Sequence, residues 1–293
     1  MSLSQSRRNR RICPIALTLT AVLAVTASAQ ERQSNGNSLL AEVAEKIRSA
    51  TVSAKTSVKV HAFGQTIYGE GTYAQCPLNN ELLIRTDLKV KLVSQRESHY
   101  QLNRNQNELI VQHNLNDGRE FVGRISLRRL REAGVLKSPN LATAGVPGAT
   151  TAPALAPVDG IASTLEALST HFLFRKVQSK EVDGAHYVAM RGDWKLASRA
   201  FGQGEEGTLP DAVEVVIETL ALEKLPRFPR SITYLKRGTK GGVATLDPMV
   251  VIQYEEIESP EPSSVDVKKF MVKLGDHLKV VDITDQYLVP PPQ

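Results

Sequence analysis

The sequence predicts an α+β fold: a strongly curved antiparallel sheet, an incomplete β-barrel, with helices covering its concave face. Three observations predict it. Residues 52–62 alternate apolar and polar side chains without a break, the period of a half-buried strand. A strand of that length spans ~36 Å, about twice the usual length, and long strands accumulate twist until their sheet coils. Two stretches of helical periodicity, around residues 38–48 and 161–172, offer apolar faces to lie in the hollow.

The chain opens with Arg7, Arg8, Arg10 and Arg11, then an apolar run from Ile12 to Val25 and the small-x-small triplet Ala27-Ser28-Ala29. This order is that of a secretory signal peptide over residues 1–29. The run is shorter than the ~20 residues of a membrane span. The formal charge of +5 includes four arginines and no acid from this segment, so the mature chain is near +1. That balance implies no polyanion-binding surface and no nucleic-acid partner. Of the two cysteines only Cys76 survives cleavage, so no intramolecular disulfide forms, and stability must come from a core.

After a polar mature terminus, Asn37 or Ser38 caps a helix with Leu39, Leu40, Val43 and Ile47 on one side. In the strand that follows, Val52, Ala54, Thr56, Val58, Val60 and Ala62 share one face. The chain returns past Phe63-Gly64 as QTIYGEGTYAQ, where Gly69 and Gly71 leave a gap suited to a bend or a close approach. Beyond the turn CPLNN, Leu82, Ile84, Thr86, Leu88, Val90 and Leu92 alternate with Arg85, Asp87, Lys89 and Lys91. Strands near 99–102 and 108–113 complete an antiparallel meander.

Ser126 caps a short helix through Leu127 and Leu130 that stops at Gly134. Residues 138–158 hold four prolines, repeated Ala and Thr and no charge, a flexible Ala/Pro/Thr-rich flap or linker. Asp159 caps the next helix, whose buried stripe is Ile161, Leu165, Leu168 and Phe172. Strands then resume at 174–182, 185–194, 212–222, 230–238 and 249–258. The final stretch, FMVKLGDHLKVVDITDQYL, forms the last sheet edge, with Phe270 anchored inward and a turn at Gly275. Neither half closes a sheet alone, so one continuous sheet interrupted by the helical insert is expected.

Chemistry-bearing patterns are sparse. FGQGEEG has dinucleotide-type glycine spacing, but Pro210 and a strand follow where a phosphate-binding helix N-terminus is required, and Glu205 and Glu206 repel phosphate. The histidines at 61, 99, 113, 171, 186 and 277 form no metal-ligand spacing, although 61, 99 and 113 could meet on neighbouring strands. Cys76 sits beside Pro77 in a turn with no base near it in sequence. Glu255, Glu256 and Glu258 with Asp282 and Asp285 are candidate acid/base pairs only if the fold unites them. Trp194 ends a strand as a pocket or core residue. The reading is non-enzymatic, with neither cofactor nor metal.

The scattered letters of the second half resemble the LolA/LolB-like fold of periplasmic lipoprotein carriers. They are Pro229, Arg230, Ile232 and Tyr234, then Glu256-Ile257, then Phe270, Lys273, Gly275, Val280 and Asp282, joined in the first half by GEGTY at 69–73. Gly160, Ile161, Leu165, Leu168, Phe172 and Phe174, followed by GDW, are similar to a pattern in a larger group of secreted bacterial proteins. The resemblance implies a single LolA-like domain over residues 30–293 of a periplasmic or secreted protein. It also implies a carrier's task, with a lipid or lipidated protein as partner and peripheral contact with membrane or envelope proteins. The carriers place an Arg-Pro after the glycine strand, an arginine that helps hold their helical lid. This chain has Cys76-Pro77 there, with Arg85 the nearest candidate.

Together these readings predict an apolar trough lined by Val58, Val60, Leu82, Ile84, Leu88 and Val90, lidded by Ile161, Leu165, Leu168 and Phe172. Such a concavity, poor in polar groups, suits an acyl chain. The alternative is that the same residues simply pack together, leaving a structural or interaction protein of the cell envelope.

Overall fold

The computed structural model describes residues 36–62, 65–79, 81–91, 97–114, 118–136, 158–182, 185–195, 209–218, 227–272, 274 and 278–288. The expected signal peptide, residues 138–157, the FGQGEEG turn, Leu92, Gly275 and His277 lie outside them. Twelve strands form one open sheet: β1 (Val52–Ala62), β2 (Gln65–Leu78), β3 (Glu81–Lys91), β4 (Glu97–Arg104), β5 (Glu108–Asn114), β6 (Glu120–Ser126), β7 (Phe172–Val182), β8 (Ala185–Trp194), β9 (Ala212–Glu218), β10 (Pro229–Lys240), β11 (Val243–Glu258) and β12 (Val280–Asp282). Among the described residues four α-helices accompany them: α1 (Gly36–Arg48), α2 (Leu127–Glu132), α3 (Gly160–His171) and α4 (Asp285–Leu288). The strand order is β12-β6-β5-β4-β3-β2-β1-β11-β10-β9-β8-β7.

Alternation in the sequence becomes alternation in burial. Ala54, Thr56 and Val58 are buried while Lys55 between them is exposed, and in β3 Ile84, Thr86 and Leu88 are buried. The two halves of the chain join where β1 pairs with β11, Val58 opposite Ile252 and Val60 opposite Val250. Every pair is antiparallel except the last. There β12 runs parallel to β6, with Val280 opposite Val122. The expected closing edge is therefore present, but as three parallel residues rather than an antiparallel strand.

The helices measure the curvature. At its first residue, α3 lies against β3 and β2: a Cβ on Gly160 would come within 2.9 Å of Ile84 Cδ1 and 3.2 Å of the Tyr73 hydroxyl. At its last, α3 runs directly into β7. A helix of this length covers ~18 Å, yet β3 and β7 are seven steps apart in the strand order, roughly 34 Å along the sheet. The helix α1 repeats the construction in the opposite direction. Asn37 bonds the main chain of β7 at 172 and 174, and the carbonyl of Ile47 meets Gln75 of β2. These ends are ~15 Å apart, against ~29 Å along the sheet. Both helices are chords of an arc, so the sheet is strongly curved and they lie on its concave side.

The main core fills that side. Leu40, Val43, Ala44 and Ile47 of α1 and Ile161, Leu165, Ala167 and Leu168 of α3 are fully buried in one cluster with residues from β1 to β11. A second cluster lies on the outer face, where Phe270 from a short 3-10 turn covers Cys76 and Leu83. Phe270 is thus anchored inward as expected, but onto the convex side of the sheet.

Three local expectations are corrected. Asn37 lies inside α1, and its amide imitates a neighbouring strand for β7, accepting from Phe174 N–H and donating to Phe172 O. The carboxylate of Asp159 makes no cap bond to α3, because it is drawn into an ion pair described below. Phe172 belongs to β7 rather than the helix, although it is fully buried beside α3. Ser126 caps α2 as expected, accepting from Arg129 N–H.

Candidate functional site

All ten residues expected to line the trough stand on the concave side. Ile84, Leu88, Ile161, Leu165, Leu168 and Phe172 are at most 1% exposed, Val58 is buried, and Val60, Leu82 and Val90 are partly buried against the same cluster. The register explains the gathering. Val58 stands opposite Gly69, Gly69 opposite Val90, and Leu88 opposite Tyr100, so one apolar band crosses β1 to β4. An aromatic group continues it, with Tyr254 edge-on to Phe228 at 5.4 Å and to Tyr73 at 6.0 Å.

Polar pins hold the helices over this band at one end. Gln75 Nε2 donates to the carbonyls of Ile47 and Ala50 at 2.6 and 2.9 Å, and its Oε1 accepts from the Tyr73 hydroxyl at 2.7 Å. The Tyr73 oxygen also engages the backbone of Ile161. One buried Tyr–Gln pair thus joins the C-terminus of α1, the floor of β2 and the first turn of α3. Burial raises the Tyr73 phenol far above its usual range, so it remains a donor.

The second pin is Arg104 at the end of β4. Its guanidinium donates to Leu82 O and to Asp159 Oδ1, both at 2.6 Å, and its side chain is only 9% exposed against 27% for Asp159. Desolvation pulls the Arg104 pKa down and the Asp159 charge opposes it. The arginine facing the helix is therefore Arg104. Arg85, the residue the carrier resemblance nominates, lies on the convex side, donating to Lys269 O and Asp87. There is a sequence signal for both pins. Gln75 and Arg104 occupy apolar-phase positions of their strands, where a polar residue requires a buried partner.

The other candidates disperse. His61 bonds Thr66 within its hairpin, His99 bonds Asp87 at 2.6 Å, and His113 meets the Tyr100 ring, so the three do not gather. Burial alone would raise the Asp87 carboxyl, but bonds from His99 and Arg85 outweigh it and hold it below the usual range. Cys76 is a fully buried strand residue, not a turn residue. Glu255, Glu256 and Glu258 are exposed on β11, seven steps along the sheet order from Asp282, and Glu256 pairs with Lys55. Trp194 stacks on Phe172 at 4.3 Å and donates to Pro210 O. Among the described residues no group of His, Cys, Asp and Glu could hold a metal ion, and no helix is long and apolar enough to cross a membrane.

The C-terminal segment closes the β6 edge. Thr284, fully buried, donates its hydroxyl and its N–H to Asp282 Oδ1 and accepts from Ser126 N–H, while Arg129 reaches both Asp282 and Asp285. The Thr284 hydroxyl, its N–H, and then Arg129 and Arg124 hold the Asp282 carboxyl below its usual value of 3.8. Stability from a depressed carboxylate is complete above that usual value and is lost as pH falls through the lower folded value. Hydrogen-exchange protection at 283–288, corrected for intrinsic rates, is therefore expected to fall below about pH 4. Asp282→Ala should already have that low protection at neutral pH. Protection that stays flat with pH in the unsubstituted chain would refute this account.

Comparison with known proteins gives similarity of structure only. No family model matches the chain, and neither does any curated protein. Among solved structures it is similar to a DUF1329 family protein from Desulfovibrio piger, at 9% identity and a TM-score of 0.35, covering 80% of this chain and 96% of that one. It is also similar to LprF from Mycobacterium bovis, at 9% identity and a TM-score of 0.36, covering 77% and 96%. A LolA superfamily protein from Nitrosomonas europaea follows at 11% identity and a TM-score of 0.24, covering 80% and 97%.

Proposed function

We propose that this chain is an exported, non-enzymatic binding protein of the periplasm or cell surface. It holds a lipid, an acyl chain or a lipidated protein in the apolar trough between the curved sheet and helices α1 and α3. One observation carries the reading: two helices span an apolar concave face as chords, tied by polar groups to β2 and β4 at one end and to β7 and Lys195 at the other. At Val60, Val90 and Ile252 the apolar band is only partly buried, so the strands offer some apolar surface there. The trough would admit hydrocarbon there, driven by apolar burial at about 25 cal/mol per Å².

The test is native mass spectrometry with lipid extraction of protein purified from its own cell envelope. Co-purifying acyl species are expected, and a clean, ligand-free spectrum would remove the proposal. In a fluorescent-acyl-probe assay, Ile84→Ala and Leu165→Ala should weaken binding about tenfold, as each removes one to three kcal/mol of apolar contact. Lys89→Ala, on the opposite face of β3, should leave it unchanged. Equal losses from all three would argue against the trough.

A second reading rests on a different observation. Of the eight exposed large apolar side chains among the described residues, five fall between Val267 and Val281, outside the trough and beside Lys268, Lys269 and Lys279. This surface fits peripheral contact with a membrane or an envelope protein. It would serve a scaffold without a ligand equally well.

A further inference from the structure

Tyr234 stands on the concave face of β10, between Val213 of β9 and Val250 of β11. It is 1% exposed and belongs to the main core cluster, yet its hydroxyl has no hydrogen-bond partner among the described residues. The contrast with Tyr73 is informative. There the hydroxyl is matched on both sides, whereas at Tyr234 phenylalanine would fill the same space without a polar atom to satisfy. A second hydroxyl on the same face is in the same condition: Thr86 of β3, opposite Tyr73 and Leu102, is buried with its Oγ1 unmatched. An apolar trough meant only for hydrocarbon has no use for such groups.

We infer that Tyr234 is a ligand-binding residue whose hydroxyl donates a hydrogen bond to the carbonyl of an acyl ester or amide in the trough. The inference rests on the trough reading and narrows its ligand class. Acylated lipids and lipid-modified peptides qualify, whereas bare hydrocarbon and ether-linked chains do not supply the acceptor. The donor is always available, because burial raises the Tyr234 phenol far above its usual value and keeps it protonated. A carbonyl accepts without bringing a charge into the core, as a free carboxylate would.

The experiment compares an ester-linked diacyl phosphatidylglycerol with its ether-linked dialkyl analogue, each displacing a fluorescent acyl probe from the full chain. The unsubstituted protein should prefer the ester about five- to tenfold, the effect of one buried hydrogen bond. Tyr234→Phe should reduce ester binding to the ether level and leave ether binding unchanged. Its melting temperature without ligand should stay level or rise by about 2–4 °C, since an unmatched hydroxyl has been removed. A drop in melting temperature would mean that the hydroxyl has a partner within the protein, and equal losses for both lipids would mean a packing role. Either result overturns the inference, as does ester preference surviving in Tyr234→Phe. Ether binding with no ester preference in the unsubstituted chain defeats this inference alone, whereas binding of neither lipid defeats the trough reading with it. A diacylated lipopeptide held more tightly than the phospholipid would identify a lipidated protein as the source of the carbonyl, and the reverse a membrane lipid.

Discussion

Gly71→Ala is expected to destabilise the chain by about 3–4 kcal/mol, near the upper end for overpacking, or to prevent its soluble expression. The expectation follows from where β3 runs. A Cβ on Gly71 would lie 1.7 Å from Asp87 O and 2.8 Å from Asp87 C, and both are main-chain atoms that no rotamer change can move. To admit one methyl group, β2 and β3 must separate in the middle of their ladder, where Gly71 stands opposite Leu88. Gly69, two residues earlier, is the control. Its Cβ would meet Val90 Cγ2 at 3.5 Å, an ordinary contact, so Gly69→Ala should change stability by less than about 1 kcal/mol. Urea denaturation of the two variants distinguishes them. Similar midpoints would mean that the strands do not approach as closely as described.

The same pair of glycines marks how far a linear reading reaches. Their spacing announces that the strand lacks side chains on one stretch, and a bend or close approach is the inference. Which strand approaches depends on register, which no local pattern carries. Strands 52–62 and 185–194 were legible to the residue because one face is buried and the other wet. Residues 120–126 escaped because Phe121 and Val122 are adjacent apolar residues followed by Gly123 and Arg124, and the parallel β12 that later covers this edge is remote in sequence. Leu83 and Cys76 gave no warning for a similar reason. They break the alternation of β3 and β2 because a distant turn carrying Phe270 buries them from the convex side.

The apolar side of the candidate site was legible for the reason the strands were, since lining a concave face and belonging to a core leave the same alternating signature. Its polar side was not. Asp159 reads locally as a helix cap, a role the short side chain commonly fills. The structure assigns it instead to Arg104, separated from it by 55 residues. A buried guanidinium outcompetes two or three exposed N–H groups for a carboxylate, because the cation has no water to fall back on.

That imbalance makes the two halves of the pin unequal, and the asymmetry is the second large effect. Asp159→Ala strands a guanidinium that is nine-tenths buried, keeping only Leu82 O as a described hydrogen-bond acceptor. A loss of about 3–4 kcal/mol is expected, in the range for an uncompensated buried charge. Arg104→Met removes the buried member instead. The remaining carboxylate is partly exposed and can hydrate, methionine fills the stem's volume, and Leu82 O loses one donor, for a cost of about 1–2 kcal/mol. The double variant should then be more stable than Asp159→Ala alone, because the second substitution removes the charge that the first left unpaired. Thermal and urea unfolding of the three proteins measure this directly. If Arg104→Met is the more damaging single change, or if the double variant is worse than Asp159→Ala, a stranded buried cation is not what makes the loss of Asp159 costly, and this account of the pin fails. Helix α3 would then be held over the concave face chiefly through Tyr73 and Gln75.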